Sequence, residues 1–288
     1  MIIALTGNRT KIRVTEVLPA FIAWLREKDV EFVVSDDFKE IPGVGECRFF
    51  PAEKIDDQAD IVYSFGGDGT FLNTIRLLKN RSTPVLGINL GGLGYLTEVS
   101  SDELYDRTEQ ILQGEYGVES RMMLEIRVNG GETAGPWYAL NDVVVDKAGY
   151  PRLIEIHSYI NGVYLNTFRG DGLVISTPTG STGYSLSSGG PILEPKMAGI
   201  LIVPLNPHSL SNRPLVIDDD KTIEVKANTD GPSVALSVDG QTVANLKSGH
   251  MLTVKRAESF AHVIKFSGRE FYAVLRQKLG WGDLNSNG

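Results

Sequence analysis

The pentapeptide GGDGT, residues 66–70, directly follows the apolar run ADIVYSF. A glycine-rich turn between a strand and a helix exposes backbone N–H groups, and together with the helix N-terminus these suit anionic oxygens. Asp68 sits in that turn, where its charge would repel a phosphate. Two readings follow from the residues alone. The carboxylate caps the helix that follows, or it has chemistry of its own. No GxxxxGK[ST] loop occurs in the chain, and no GxGxxG follows the first strand, so neither the P-loop nor the standard dinucleotide fingerprint accounts for this turn.

Three further stretches carry residues suited to a ligand. STPTGSTGYSLSSGGP (176–191) is almost entirely hydroxyl, Gly and Pro, without a charge. It reads either as a flexible linker or as a polar wall for a ligand rich in hydrogen-bonding groups, such as a nucleoside. Tyr184 would supply a stacking face or a hydroxyl. In LNDVVVD (140–146), Asn141 and Asp142 are adjacent polar residues in an apolar strand. Neighbouring strand residues face opposite sides, so one of the two meets the core unless a bulge or a site intervenes. They read as a strand-end turn, or as a carboxylate accepting two hydrogen bonds from a vicinal diol such as ribose. In FRGDGL (168–173), Arg169 and Asp171 form either a local ion pair or, for Arg169, a grip on phosphate.

The elements that must position these residues fall into two textures. MIIALT (1–6), VEFVV (30–34), DIVYSF (60–65) and TPVLGINL (83–90) read as strands. Between them, residues 10–28 and 70–80 read as helices. In the first, Val14, Val17, Leu18, Ile22 and Leu25 form an apolar stripe, and Pro19 predicts a kink or a late start. In the second, Phe71, Leu72, Ile75 and Leu78 share a face from which Leu77 departs. Strands alternating with helices imply a doubly wound, parallel α/β domain, Rossmann-like but without GxGxxG, with ligands at the carboxyl edge of its sheet. From about residue 119 to 268 the chain becomes short alternating runs separated by turn residues, among them LEIRV, MLTVKRA and HVIKFS. That is the texture of an all-β domain, a β-sandwich or a barrel, and Asn161-Gly162 marks a hairpin. Residues 269–281 return to helical periodicity and are expected to pack back on the first domain, residues 1–118. The last residues, GDLNSNG, read as a disordered end.

Composition narrows the function classes. The 288 residues are 42% hydrophobic and 22% charged, as in a globular protein, and the formal net charge is −8. An acidic chain is not built for nucleic acid or for an anionic membrane, and any phosphate site must be assembled locally. No apolar run approaches membrane-spanning length, and the start is too short for a signal sequence, so the expectation is a cytoplasmic protein. The single cysteine, Cys47, fits a reducing compartment. The four histidines lack metal-ligand spacing, and no protein-bound metal site is expected.

Taken together, GGDGT, LGINLGGLGYLTE (86–98), LNDVVV (140–145), RGDGLVISTPTGSTGYSLSSGGPIL (169–193), PHSLSNRPLVI (207–217) and SVDGQ (237–241) resemble the NAD kinase family in its own order. The TPTGST stretch is specific to it, whereas diacylglycerol and sphingosine kinases share GGDGT. The chain departs from the family in two places: Asn141-Asp142 where Asn-Glu is usual, and Thr182-Gly183-Tyr184 where Thr-Ala-Tyr is frequent. The resemblance implies transfer of the ATP γ-phosphate, with Mg²⁺ or another divalent cation, to the 2′-hydroxyl of the adenosine ribose of NAD. Asp68 would accept the proton of the attacking hydroxyl. It also implies that Gly69, Asn141 and Asp142 bind NAD, and that Thr182, Gly183, Tyr184, Ser185, Leu186 and Ser187 line the adenosine and ribose pocket. Arg152, Arg169, Asp171, Asn206 and Gln241 would contact other parts of the dinucleotide, in a homodimer or homotetramer. Two alternatives stand beside this reading: a lipid kinase sharing GGDGT, and a non-catalytic NADP-binding sensor. The donor remains open between ATP, another triphosphate and polyphosphate, and the acceptor between NAD and NADH.

Overall fold

The computed structural model describes the chain except residues 79–81, 93, 131–134, 150–151, 229–232 and 282–288. The expected disordered end therefore lies outside the described residues. The chain divides into two compact units. One is Met1–Ser120 together with the chain from Ala261 onward, and the other is Arg121–Phe260.

The first unit is built on β1 (Ile2–Gly7), β2 (Glu31–Ser35), β3 (Phe49–Phe50), β4 (Ile61–Gly66), β5 (Val85–Asn89) and β6 (Val99–Ser100). They pair in the order β3-β2-β1-β4-β5, every pair parallel, with β6 also beside β5. The order runs outward in both directions from β1, which is the doubly wound arrangement. Its strands are continuous apolar runs because helices cover them. The helices are α1 (Ile12–Glu27), α2 (Asp68–Leu77) and α3 (Leu104–Leu112). Helix α1 buries Val14, Leu18, Phe21, Ile22 and Leu25, and Val17 is half-buried against the same core. Pro19 does not delay its start; it lies within the helix. On α2, Phe71, Ile75 and Leu78 are buried, while Leu72 and Leu77 are half-buried.

Strand β7 (Gly117–Asn129) carries the chain into the second unit, followed by β8 (Trp137–Ala139) and β9 (Asp142–Asp146). Then come β10 (Ile154–Ile160), β11 (Val163–Gly170), β12 (Gly172–Ser176), the single helical turn α4 (Tyr184–Ser187), β13 (Ile200–Leu205) and β14 (Leu215–Ile217). The unit is completed by β15 (Ile223–Asn228), β16 (Val234–Val238), β17 (Gln241–Leu246) and β18 (Met251–Lys265). One antiparallel sheet has the order β14-β13-β12-β9-β16-β17, and in the other β11, β10, β15 and β18 pair in that order. Ile156, Val225 and Val254 from the second sheet share one core with Val145, Ile175 and Leu236 from the first, which is sandwich packing. The opposite face of the six-stranded sheet buries Val144, Val174 and Val203 with Leu193. This sheet is therefore covered on both sides, and β9 and β12 read as unbroken apolar runs for that reason. The β10–β11 turn is Asn161-Gly162 at φ of 50° and 75°, a two-residue hairpin.

Two readings need correction. MLTVKRA and HVIKFS are parts of one 15-residue strand, β18, which pairs with β15 through Met251–Val254 and with β5 at Val263. LEIRV is likewise only the C-terminal half of the 13-residue β7. After β18 the chain ends its described part in α5 (Phe271–Leu279), which buries Val274 and Leu275 within the first unit.

Candidate active site

At the carboxyl edge of the parallel sheet, the turns after β1, β4 and β5 are knit together. Asn8 N–H donates to the Phe65 carbonyl at 3.0 Å and Leu90 N–H to the Gly66 carbonyl at 3.2 Å. Helix α2 starts at Asp68, with Gly67 as its N-cap, and the Asp68 side chain does not cap it. The carboxylate turns toward the segment after β5 instead. Its Oδ2 accepts the Tyr95 N–H at 2.8 Å, and its Oδ1 accepts those of Leu96 at 3.1 Å and Thr97 at 3.2 Å. A Cβ at Gly94 would lie 2.1 Å from Asp68 Oδ1, so only glycine permits this approach. The Asp68 charge, behind partial burial, raises the Tyr95 phenol pKa. Oδ2, holding a single donor, keeps an acceptor position. Gly67 and Gly69 face open space, where a Cβ would meet nothing within 4 Å.

The remaining expected residues lie in the second unit. TPTGST is no linker: Thr177 and Ser181 are fully buried, as is Ser185 just after it. The stretch folds into a 3-10 turn, Thr179–Thr182, followed by α4. Hydroxyls here bond to backbone carbonyls. Thr177 Oγ1 donates to the Leu140 carbonyl at 2.6 Å, Ser176 Oγ to the Asn141 carbonyl at 3.0 Å, and Thr182 Oγ1 to the Thr179 carbonyl at 3.2 Å. Gly180 presses on Asn141, whose carbonyl would be 2.1 Å from an added Cβ. Gly183 comes next to the Asn-Asp pair, and a Cβ there would sit 3.3 Å from Asn141 Nδ2 and 3.7 Å from Asp142 Oδ2. Tyr184 and Ser187 are exposed, and Thr182, Gly183 and Leu186 are half-buried.

Asp142 is 5% exposed. Burial, and secondly the charge of Asp239, push its carboxyl up to about 7. Asn141 Oδ1 is buried and has no hydrogen-bond partner. Sequence reasoning missed Asp239, whose carboxylate accepts the N–H groups of Leu140, Asn141 and Asp142 at 2.9, 2.8 and 3.1 Å. The only local signal was the Asp-Gly pair inside SVDGQ, which marks a turn and not a partner.

Arg169 and Asp171 do not pair with each other. Arg169 Nε meets Glu155 at 2.9 Å, and Asp171 meets Lys147 Nζ at 2.6 Å. Asn206, at φ 41°, donates its Nδ2 to Asp171 Oδ2 at 2.9 Å. The Lys147 and Asn206 hydrogen bonds hold the Asp171 carboxyl below its usual value. Arg152 is exposed, and Gln241 opens β17 on the surface.

Two family models cover most of this architecture. The ATP-NAD kinase N-terminal domain matches residues 3–116, and the ATP-NAD kinase C-terminal domain matches residues 140–266. The NAD kinase of Geotalea daltonii is 42% identical over 232 residues, which are 80% of this chain and 82% of that one. The NAD kinase of Chloroherpeton thalassium is 38% identical over 279 residues, 96% of each chain. Among solved structures, yeast NADH kinase complexed with NADH matches with a TM-score of 0.91 at 26% identity, over 98% of this chain and 88% of that one. An NAD kinase from Archaeoglobus fulgidus in complex with ATP matches with a TM-score of 0.75 at 26% identity, over 97% and 99%. The chain belongs to the ATP-NAD kinase family.

Proposed function

We propose that this chain phosphorylates NAD on the 2′-hydroxyl of its adenosine ribose, with ATP as donor and Asp68 as general base. The observation that carries the role of Asp68 is its geometry. Three backbone amides fix the carboxylate, and Oδ2 retains room for one more donor. A sugar hydroxyl is a weak nucleophile. As its oxygen bonds to the γ-phosphorus and the bond to the β-phosphate oxygen breaks, its proton passes to Asp68 and ADP leaves. Such help is worth about 10²–10⁴ in rate, roughly 3–5 kcal/mol. Gly67 and Gly69 leave space beside the start of α2 for phosphate oxygens to reach backbone N–H groups.

Among the described residues no three Asp, Glu, His or Cys side chains gather to hold a metal ion. The divalent cation is read as part of the substrate, Mg·ATP, where it would neutralise phosphate charge. Asp142 is assigned to a ribose diol and Asn141 to the same nucleoside, with Gly183 close enough to shape that wall. Tyr184 presents an exposed ring to it, and Ser185 and Leu186 back it. Arg152, Arg169, Asp171, Asn206 and Gln241 are assigned to the rest of the dinucleotide. The first unit is read as the phosphate-donor domain and the second as the NAD domain, in a cytoplasmic homodimer or homotetramer. Among the described residues no helix is long and apolar enough to cross a membrane; the lipid-kinase alternative is disfavoured by the ATP-NAD kinase family models and by relatives named NAD kinase.

A coupled assay tests the proposal. Purified chain, NAD, ATP and Mg²⁺ should yield NADP, detected by a dehydrogenase that ignores NAD. Parallel runs with NADH and with polyphosphate define the acceptor and donor range. Tight NADP binding without NADP formation from any donor would leave a sensor and overturn the kinase reading.

A further inference from the structure

Asp239 has no part in the chemistry above, yet its carboxylate accepts the amides of Leu140, Asn141 and Asp142. It stands with Gly240 in the turn between β16 and β17, at φ 47°, and Gly240 follows at φ 76°. A two-residue turn of this kind is served equally well by asparagine. The turn itself therefore does not call for a carboxylate. The carboxylate is engaged 97 to 99 positions back along the chain, with Oδ1 shared by the amides of Asn141 and Asp142 and Oδ2 taken by that of Leu140. The Asp239 N–H also donates to the Asp142 carbonyl at 2.9 Å. Unlike the amide of asparagine, a carboxylate offers acceptors on both oxygens. From the other side, Ser176 and Thr177 hold the carbonyls of Asn141 and Leu140.

We infer that Asp239 is a positioning residue for NAD: by gathering three successive amides it fixes the backbone that aims Asn141 and Asp142 at the ribose. The inference rests on the assignment of Asp142 to that ribose. In Asp239→Asn the turn residue still tolerates positive φ, but one acceptor becomes an N–H donor facing another N–H. The KM for NAD should rise about tenfold, the size expected for one hydrogen bond to a charged group. The KM for ATP and kcat at saturating NAD should stay within about threefold, a split that loss of a merely structural residue would not give.

An unchanged KM for NAD in folded Asp239→Asn overturns the inference, as do equal rises in both KM values. Should Asp239→Asn fail to fold, Asp239→Glu keeps the charge but displaces the oxygens by a methylene, and the same rise in KM for NAD is required of it. Asp142→Ala separates the two levels. If it leaves the KM for NAD unchanged, the assignment of Asp142 itself fails. If it raises that KM while Asp239→Asn does not, only the role of Asp239 fails.

Discussion

Asp68 in the first unit takes the amides of Tyr95, Leu96 and Thr97; Asp239 in the second takes those of Leu140, Asn141 and Asp142. Both carboxylates follow a strand, and both bind three successive N–H groups of a distant segment. Their surroundings differ. In both, two amides share one oxygen and the third takes the other, but Asp68 opens a helix, at the positive end of the helix dipole. Asp239 occupies a hairpin and lies close enough to the buried Asp142 to raise that carboxyl's pKa. The number of hydrogen bonds a carboxylate accepts does not set its role. What reaches its remaining lone pairs does. Under the proposed assignments Asp68 would be support and reactant at once, whereas Asp239 would support a second carboxylate, Asp142, assigned to the ligand.

The comparison breaks most visibly at Asp68. Asp68→Asn keeps the shape but loses the proton acceptor, and turnover should fall at least about a hundredfold with NAD binding nearly intact. Near-normal turnover removes the base, and a large loss of NAD binding makes Asp68 a ligand-holding group instead. Gly94→Ala attacks the support alone. Its Cβ would sit 2.1 Å from Asp68 Oδ1 and 2.4 Å from Thr97 Oγ1, so the carboxylate must swing away. Turnover should drop about tenfold, at a stability cost of about 1–3 kcal/mol for overpacking. A drop in melting temperature without a drop in kcat would mean that the amides do not aim the carboxylate.

Asp142 sharpens the comparison through pH. Its folded value, about 7, lies above the ordinary carboxylate value, so the folded chain binds this proton more tightly than the unfolded chain. The resulting stability is fully present below about pH 4 and is lost as pH rises through about 7, with an upper bound of about 4 kcal/mol. Asp142→Asn cannot ionise. Its melting temperature relative to the parent should rise between pH 4.5 and pH 8, and a flat difference would mean that the carboxyl titrates normally. The smallest effect is expected at Arg169, whose side chain is 69% exposed in its pair with Glu155. Arg169→Ala should change stability by less than about 1 kcal/mol. Its assignment to the dinucleotide is then tested by the KM for NAD, which should rise several-fold.

Much of the fold was legible because its signals are local. The α1 stripe, the apolar runs of β1, β4 and β5 and the Asn161-Gly162 turn each follow from a few neighbouring residues. Strand β18 was legible only in halves. Its middle, Lys255–Phe260, carries exposed charges and a single buried residue, Ala257, so alternation weakens although the strand continues. TPTGST looked like a polar wall, since a hydroxyl's direction cannot be read from composition. In the fold, Ser176 and Thr177 turn theirs onto the carbonyls of Asn141 and Leu140.

The sequence by itself determined the order of strands and helices, the glycine-rich turn after β4, the polar pair Asn141-Asp142 at the head of β9 and the kinship these motifs imply, because periodicity, turn chemistry and motif spacing act over a few residues. Tertiary structure alone decided the partner of each carboxylate. Asp68 was free, on local grounds, to cap its helix and reaches Tyr95–Thr97 instead; Arg169 and Asp171, two positions apart, bind Glu155 and Lys147 instead of each other; Asp239 passes over its own turn for amides some 98 positions away. A hydrogen bond is directional and short, so its partner is whichever donor the packed chain brings within about 3 Å, and sequence distance does not enter that choice.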